Sequence, residues 1–86
     1  MKLGQVVMTR GIAGTIEKNN EFSLFIIESI RRYYKKDWGD IPEEDKRMND
    51  LDDDRIVARY NSKHGDIYII TEWDRSYTTI LFTNEY

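Results

Sequence analysis

The side chains with the greatest chemical potential in this chain are carboxylates, and most of them lie in one segment. Residues 37–54, DWGDIPEEDKRMNDLDDD, contain nine carboxylates and two cations, which gives a local charge of −7. The other 68 residues contain seven carboxylates and eleven cations, a charge of +4, so the net charge of −3 conceals an acidic lobe (residues 37–54) on a mildly basic body. Such a separation of charge favours contact with a charged macromolecule, because the summed field acts over longer distances than single side chains do.

The setting of the carboxylates does not favour catalysis. Glycoside chemistry needs two carboxyl groups that flank a cleft, whereas Glu43, Glu44 and Asp45 fall in the predicted first turn of a short surface helix. His64 is the only histidine, and Ser62 lies beside it in a turn with no third group to orient the ring. We therefore expect that the protein is not an enzyme and uses no cofactor.

The acidic residues do not form a recognisable metal-binding motif. Asp50, Asp52 and Asp54 alternate as in a calcium loop, but an EF-hand also needs glycine at its sixth position and a carboxylate at its twelfth. Those positions are Arg55 and Asn61 here. The chain has no cysteine, which excludes disulfides and thiolate zinc sites. The sequence predicts no metal site.

The acidic lobe is the first candidate binding surface, for a protein partner. A row of carboxylates on a rigid element imitates the phosphates of nucleic acid and would occupy a basic groove. Trp38 lies in this polar segment, where it either packs into the core or acts as an exposed anchor, since tryptophan is enriched at interface hot spots. The predicted partner-binding residues are Trp38, Asp40, Glu43, Glu44, Asp45, Asp52 and Asp53.

The basic end of the long predicted helix is the second candidate surface, for nucleic acid. Its cations are Arg31, Arg32, Lys35 and Lys36, which are interleaved with tyrosines as in sites that combine phosphate contacts with base stacking. The same cations also suit the negative end of a helix macrodipole or pairing with nearby acids. Nucleic-acid binding is therefore the alternative to a protein partner.

The elements that position these residues follow from hydrophobic periodicity. Residues 3–8 form a short Val-rich run that predicts a strand, and Ile12 and Ile16 allow one loose helical turn. After the capping residues Asn19 and Asn20, apolar residues recur at helical spacing and predict a helix over 21–36. Asp40 and Glu43 form a capping-box pattern that predicts a short helix over 41–49.

From residue 55 the period changes to two, which indicates strands beginning near Ile56, over 67–73 and over 77–82. The chain is thus predicted to be one domain, residues 1–86, of the α+β class. One main helix packs on an antiparallel sheet of three or four strands, in the order β-α(α)-α-β-β-β, with an acidic surface excursion. The predicted core residues are Phe22, Phe25, Ile26, Ile30, Ile56, Ile67, Ile69, Ile80 and Phe82.

The sequence favours a soluble protein of the cytoplasm with no membrane contact. No apolar run approaches the ~20 residues that span a bilayer, and the N-terminal residues lack the pattern of a signal peptide. The absence of cysteine fits a reducing compartment.

Three stretches of the chain resemble a known family: GQVVMTRGI at 4–12, DWGDIPEEDKRMND at 37–50 and ITEWDRSYTTILFTNEY at 70–86. The family consists of small plasmid-related proteins encoded on bacterial mobile genetic elements, namely plasmids, phages and integrative elements. The resemblance implies a cytoplasmic accessory protein that blocks host defence or regulates transfer. It implies no catalytic residues.

Overall fold

The computed structural model, which describes residues 1–86, contains four strands and three α-helices. In chain order they are β1 (Gln5–Met8), α1 (Arg10–Lys18), α2 (Asn20–Tyr34), α3 (Glu43–Leu51), β2 (Ile56–Tyr60), β3 (Ile67–Thr71) and β4 (Tyr77–Phe82), and a 3₁₀ helix (Thr83–Glu85) follows. The predicted α+β class and the order of the elements are confirmed. None of the three helices is both long enough and apolar enough to cross a bilayer.

The strands form one sheet in the order β1-β4-β3-β2. The three C-terminal strands make the predicted antiparallel meander. The first strand runs parallel to β4, with Gln5 opposite Tyr77 and Met8 opposite Ile80. The sheet is therefore mixed, which corrects the expectation of a wholly antiparallel sheet, because the alternation of side chains in a strand carries no information about its direction.

The helical region after β1 is divided by an asparagine. Asn19 has an extended backbone and its side chain accepts a hydrogen bond of 3.0 Å from the backbone N–H of Phe22, so it ends α1 and caps α2. Thr9 caps α1 in the same way through Ile12. The predicted loose turn is thus a full helix, and α2 covers most of the predicted span.

The core lies between these helices and one face of the sheet. Six of the nine predicted core residues are buried, and Phe25, Ile30 and Phe82 are partly buried against them. Five further buried residues of the core were not on the predicted list. They are Ile12, Tyr33, Trp38, Ala58 and Tyr60.

A chain of buried hydroxyl groups crosses this core. The Tyr33 hydroxyl lies 2.6 Å from Thr71 Oγ1, which in turn lies 2.8 Å from Thr78 Oγ1. Thr78 donates to the backbone carbonyl of Leu3 at 2.6 Å. Each buried hydroxyl is therefore satisfied, which removes the free-energy cost of leaving it without a partner.

The Tyr33 hydroxyl predicts a loss of stability at high pH. Burial raises the pKa of Tyr33 to about 12, whereas an unfolded tyrosine ionises near pH 10. The unfolded state therefore loses this proton first, and stability falls as the pH rises between these values. Tyr33→Phe should reduce that slope by up to about 1.4 kcal/mol per pH unit, as measured by urea unfolding at pH 9 to 11.5. Equal slopes in the two proteins would contradict the assignment.

The free edge of β2 is covered by the acidic lobe. The N–H of Arg59 donates to the carbonyl of Trp38 at 3.2 Å, and the N–H of Asp40 donates to the carbonyl of Arg59 at 2.8 Å. Gly39 lies between them at φ +78, where a Cβ atom would come within 2.0 Å of the Arg59 carbonyl oxygen. The side-chain amide of Asn49 continues this edge by bonding both the N–H and the C=O of Val57.

This attachment explains why the predicted capping box is wrong. Helix α3 begins after Pro42 with no side-chain cap. The Asp40 backbone is held at the edge of β2, and its carboxylate accepts a hydrogen bond from Asn61 at 3.1 Å instead.

Replacing Asn49 tests whether the lobe closes the sheet edge. Asn49→Ala leaves the Val57 N–H and C=O without these partners and should lower the free energy of unfolding by about 1 to 3 kcal/mol. Arg47→Ala is the matched control, because Arg47 is exposed on the same helix and its side chain forms no hydrogen bond. It should change stability by less than about 0.5 kcal/mol. Chemical denaturation measures both, and equal effects would show that the edge contact contributes nothing specific.

Candidate functional site

The acidic lobe presents all nine of its carboxylates to solvent. Glu43, Glu44 and Asp45 share the first turn of α3, where negative charge suits the helix macrodipole. Asp52 and Asp53 follow the other end of α3, about 10 Å away along its axis. The structure thus divides the predicted partner-binding carboxylates into two groups, with Asp40 at the edge of β2.

Several of these carboxylates have partners within the chain. Glu43 pairs with Lys46 at 3.4 Å, and Asp52 pairs with Arg75. Glu44, Asp45 and Asp53 have no side-chain partner. These three are therefore the carboxylates of the predicted site that are free to receive donors from another molecule.

Asp37 is held by the basic end of α2. Its carboxylate accepts two hydrogen bonds from Arg32, at 2.7 and 3.3 Å, and these hold the pKa of Asp37 below its usual range. The same contact raises the pKa of the Arg32 guanidinium, which also lies over the Tyr60 ring, 4.9 Å from its centroid. This pair joins the acidic lobe to the long helix.

The interpretation of Trp38 as an exposed anchor is wrong. Its side chain is only 3% exposed and meets the Tyr33 ring edge-on at 5.4 Å. Its indole Nε1–H donates to Asp50 at 2.9 Å. Trp38 is therefore a core residue, which was the other of the two roles that the sequence allowed. It attaches the acidic lobe to the body of the protein.

Trp73, which the period of two predicted to lie in a strand, is the exposed tryptophan of this region. The third strand ends at Thr71, and Trp73 lies in the turn before β4 with 71% of its surface exposed. Glu72 and Asp74 on either side of Trp73 continue the period of two, so the pattern did not distinguish this turn from the end of the strand.

Arg75 holds this turn against the end of the acidic lobe. Its guanidinium donates to the carbonyls of Asp52 and Asp54 at 3.1 and 3.0 Å, and to the carbonyls of Glu72 and Trp73 at 2.9 and 3.3 Å. Carboxylates at the C-terminal end of α3 oppose the helix macrodipole, and the Arg75 charge offsets that repulsion. The backbone of the turn that carries the exposed Trp73 is thereby held beside the second group of carboxylates.

A groove of about 450 Å³ lies between α3 and the outer face of the sheet. Apolar side chains such as Met48, Val57 and Tyr68 line it, and Asp40 and Asp45 stand among its polar residues. It contains no pair of nucleophile and base. His64 lies elsewhere, with its ring edge-on to Phe22 and its Nε2 buried without a hydrogen-bond partner.

The predicted nucleic-acid surface is only partly available. Arg32 is engaged by Asp37, and the Tyr33 ring is buried in the core. Arg31, Lys35 and Lys36 are exposed without ion pairs. The structure therefore leaves three of the four predicted cations free at this end of α2.

Comparison of the chain with family models, with curated proteins and with solved structures gives no match. The site is therefore defined by its own geometry, which consists of exposed carboxylates in two groups, an exposed tryptophan on a turn held beside one of them, and an adjoining groove. No three histidine, aspartate or glutamate side chains converge as a metal site would require.

Truncation of the two tryptophans should separate their roles. Trp38→Ala removes a buried ring and should lower the free energy of unfolding by about 3 to 5 kcal/mol. Trp73→Ala removes an exposed ring and should change it by less than about 0.5 kcal/mol. Thermal and urea unfolding followed by circular dichroism measure both variants. Similar losses in the two would contradict the placement of Trp73.

Proposed function

We propose that the protein is a non-enzymatic interaction module that binds a protein partner through its acidic lobe and Trp73. The observation that carries this proposal is the contact of Arg75 with the loop of residues 52–54, which holds the turn bearing the exposed Trp73 beside exposed carboxylates. An aromatic anchor beside a charged surface combines the two properties of a protein-binding site, since charge speeds encounter and the buried ring slows release.

The partner expected for this surface has a basic groove. Carboxylates on the rigid helix α3 take the place of nucleic-acid phosphates, and the local charge of −7 favours approach to clustered lysines and arginines. The contacts of Trp38 and Asn49 hold the helix to the sheet edge. Little conformational entropy is then lost on binding, because the surface is already ordered.

A nuclease of a host defence system is one partner with the required groove. The resemblance to proteins of bacterial mobile genetic elements supports this class of partner and a site of action in the cytoplasm. The protein would act as an inhibitor, since the acidic lobe would occupy the groove in which such a nuclease holds its substrate.

Competition with DNA tests this function directly. The immobilised protein is exposed to a bacterial lysate, and bound proteins are eluted with short duplex DNA or with a neutral polymer. We expect nucleases or other DNA-binding proteins in the DNA eluate, and the purified partner should cleave DNA more slowly when this protein is added. Capture that DNA does not reverse would contradict occupation of a nucleic-acid groove.

Charge reversal on the lobe should weaken that complex without unfolding the protein. Glu44→Lys with Asp45→Lys changes the local charge from −7 to −3 and should lower the association rate by about ten-fold or more at low salt. The matched control is Glu17→Lys with Glu28→Lys, which changes the net charge equally on exposed positions of α1 and α2. Surface plasmon resonance measures the rates, and equal losses in both doubles would show that only net charge matters.

Nucleic-acid binding is the second candidate function, and one observation favours it. Tyr34 is 56% exposed at the same end of α2 as the free Arg31, Lys35 and Lys36, which supplies a stacking surface beside phosphate-binding groups. If this surface binds single-stranded DNA, replacing Lys35 and Lys36 by glutamine should flatten the dependence of affinity on salt. Fluorescence anisotropy measures this, and no binding at low ionic strength would exclude it.

A further inference from the structure

The two edges of the sheet differ in how their backbone groups are used. The β2 edge is covered, since Val57 bonds Asn49 and Arg59 bonds the backbone of residues 38 and 40. The β1 edge is the other end of the strand order. An uncovered edge offers a row of donors and acceptors to another strand, and proteins that remain monomeric block such edges with charge, proline or a covering segment.

The backbone of β1 presents such a row. The N–H groups of Gln5 and Thr9 bond carbonyls on the β4 side, at Ser76 (3.2 Å) and Ile80 (3.1 Å). Because the orientation of backbone groups alternates along a parallel strand, Val6 and Met8 direct their N–H and C=O groups to the open side. Neither residue forms a hydrogen bond outside the sheet. Four unpaired backbone groups therefore face solvent.

The side chains of β1 do not protect this edge. Val6, Val7 and Met8 are 43%, 36% and 43% exposed, and all four residues of the strand are uncharged. Val6 and Met8 lie on the helix-bearing face of the sheet and Val7 on the other, because side chains alternate. Both sides of the edge are thus apolar, and a strand that covered it would bury these side chains as well as the backbone.

We propose that β1 pairs antiparallel with β1 of a second copy of this chain, so that two sheets join into one of eight strands. In the register that uses the four free groups, Val7 faces Val7 of the second copy at the twofold axis. Val6 then exchanges two backbone hydrogen bonds with Met8 of the second copy, and Met8 does the same with its Val6. The contact is self-complementary, as a twofold interface requires.

Three features favour a second copy as the occupant. The sheet has one open edge, so that pairing closes after two chains rather than continuing into a fibre. The strand is uncharged, so no like charges meet at the axis. The acidic lobe lies at the opposite edge, and the two β2 strands of the joined sheet would be about 34 Å apart, several Debye lengths at physiological salt. The strongest like-charge repulsion is therefore kept away from the contact.

Complementary charge at position 7 tests this register. Sedimentation velocity of the full chain should show an apparent mass that rises with concentration from 10.3 kDa toward twice that value. Val7→Lys and Val7→Glu should each remain monomeric, because each places like charges opposite one another at the axis. An equimolar mixture of the two variants should recover the two-fold mass, since Lys then faces Glu.

A backbone variant separates pairing from side-chain effects. Val6→Pro removes an N–H that the monomer does not use, which edge strands tolerate, and it should abolish the dimer while leaving the circular dichroism spectrum unchanged. Val6→Ala keeps the N–H and should retain the dimer. A monomeric wild-type chain at all concentrations, a dimer that persists in Val7→Lys, or a mixture that stays monomeric would overturn the proposal.

Discussion

The burial of Trp38 is the contact on which the arrangement of the acidic lobe depends. A segment with nine carboxylates has few apolar groups of its own, and on α3 the apolar residues Met48 and Leu51 remain exposed. Such a segment does not bury enough surface to fold alone. Trp38, near the start of the lobe, supplies the apolar surface that is buried. Its indole N–H donates to Asp50, so that the start of the lobe is joined to the end of α3. The hydrophobic effect thereby orders a region whose own charge opposes compaction.

Electrostatic repulsion within the lobe is reduced by donors from the rest of the chain. Arg32 holds Asp37, Asn61 holds Asp40, and Arg75 holds Asp52 and the nearby carbonyls. These partners come from α2, from the β2–β3 turn and from the β3–β4 turn, so the lobe is attached on several sides. The carboxylates that no donor reaches are those of the proposed binding surface. Stability and binding thus use different members of the same cluster.

The sequence was sufficient for those features that depend on local pattern. The helix after Asn19 and the three C-terminal strands follow from spacing and caps, because each of these elements buries one face. The parallel direction of β1 could not be predicted, because β1 pairs with β4 at the other end of the chain and no local sequence pattern records that pairing. The role of Asp40 also did not follow, because an edge contact with Arg59 competed with the helix cap.

The two tryptophans show the same limit at the candidate site. Both lie next to acidic residues in the sequence, and composition alone does not distinguish them. Trp38 is flanked by Gly39, whose positive φ lets the chain approach β2 closely, and the indole packs against Tyr33 in the core. Trp73 lies in a turn that continues no strand, so nothing covers it. The contact of Arg75 with the carbonyl of Asp54 places the turn of Trp73 beside the acidic lobe. These residues are far apart in the sequence, so only the folded chain shows that contact.

The closure of one sheet edge by the acidic lobe also has a consequence for the opposite edge. The acidic lobe is suited to cover β2, because its charge repels the acidic lobe of another copy. A strand from another copy would also have to break the hydrogen bond between Asn49 and Val57 before it could pair with β2. The uncharged β1 has no such protection. In the proposed dimer, self-association would therefore use only the β1 edge. The two acidic lobes would lie at the far ends of the joined sheet, where a partner with two basic grooves would bind both with increased avidity.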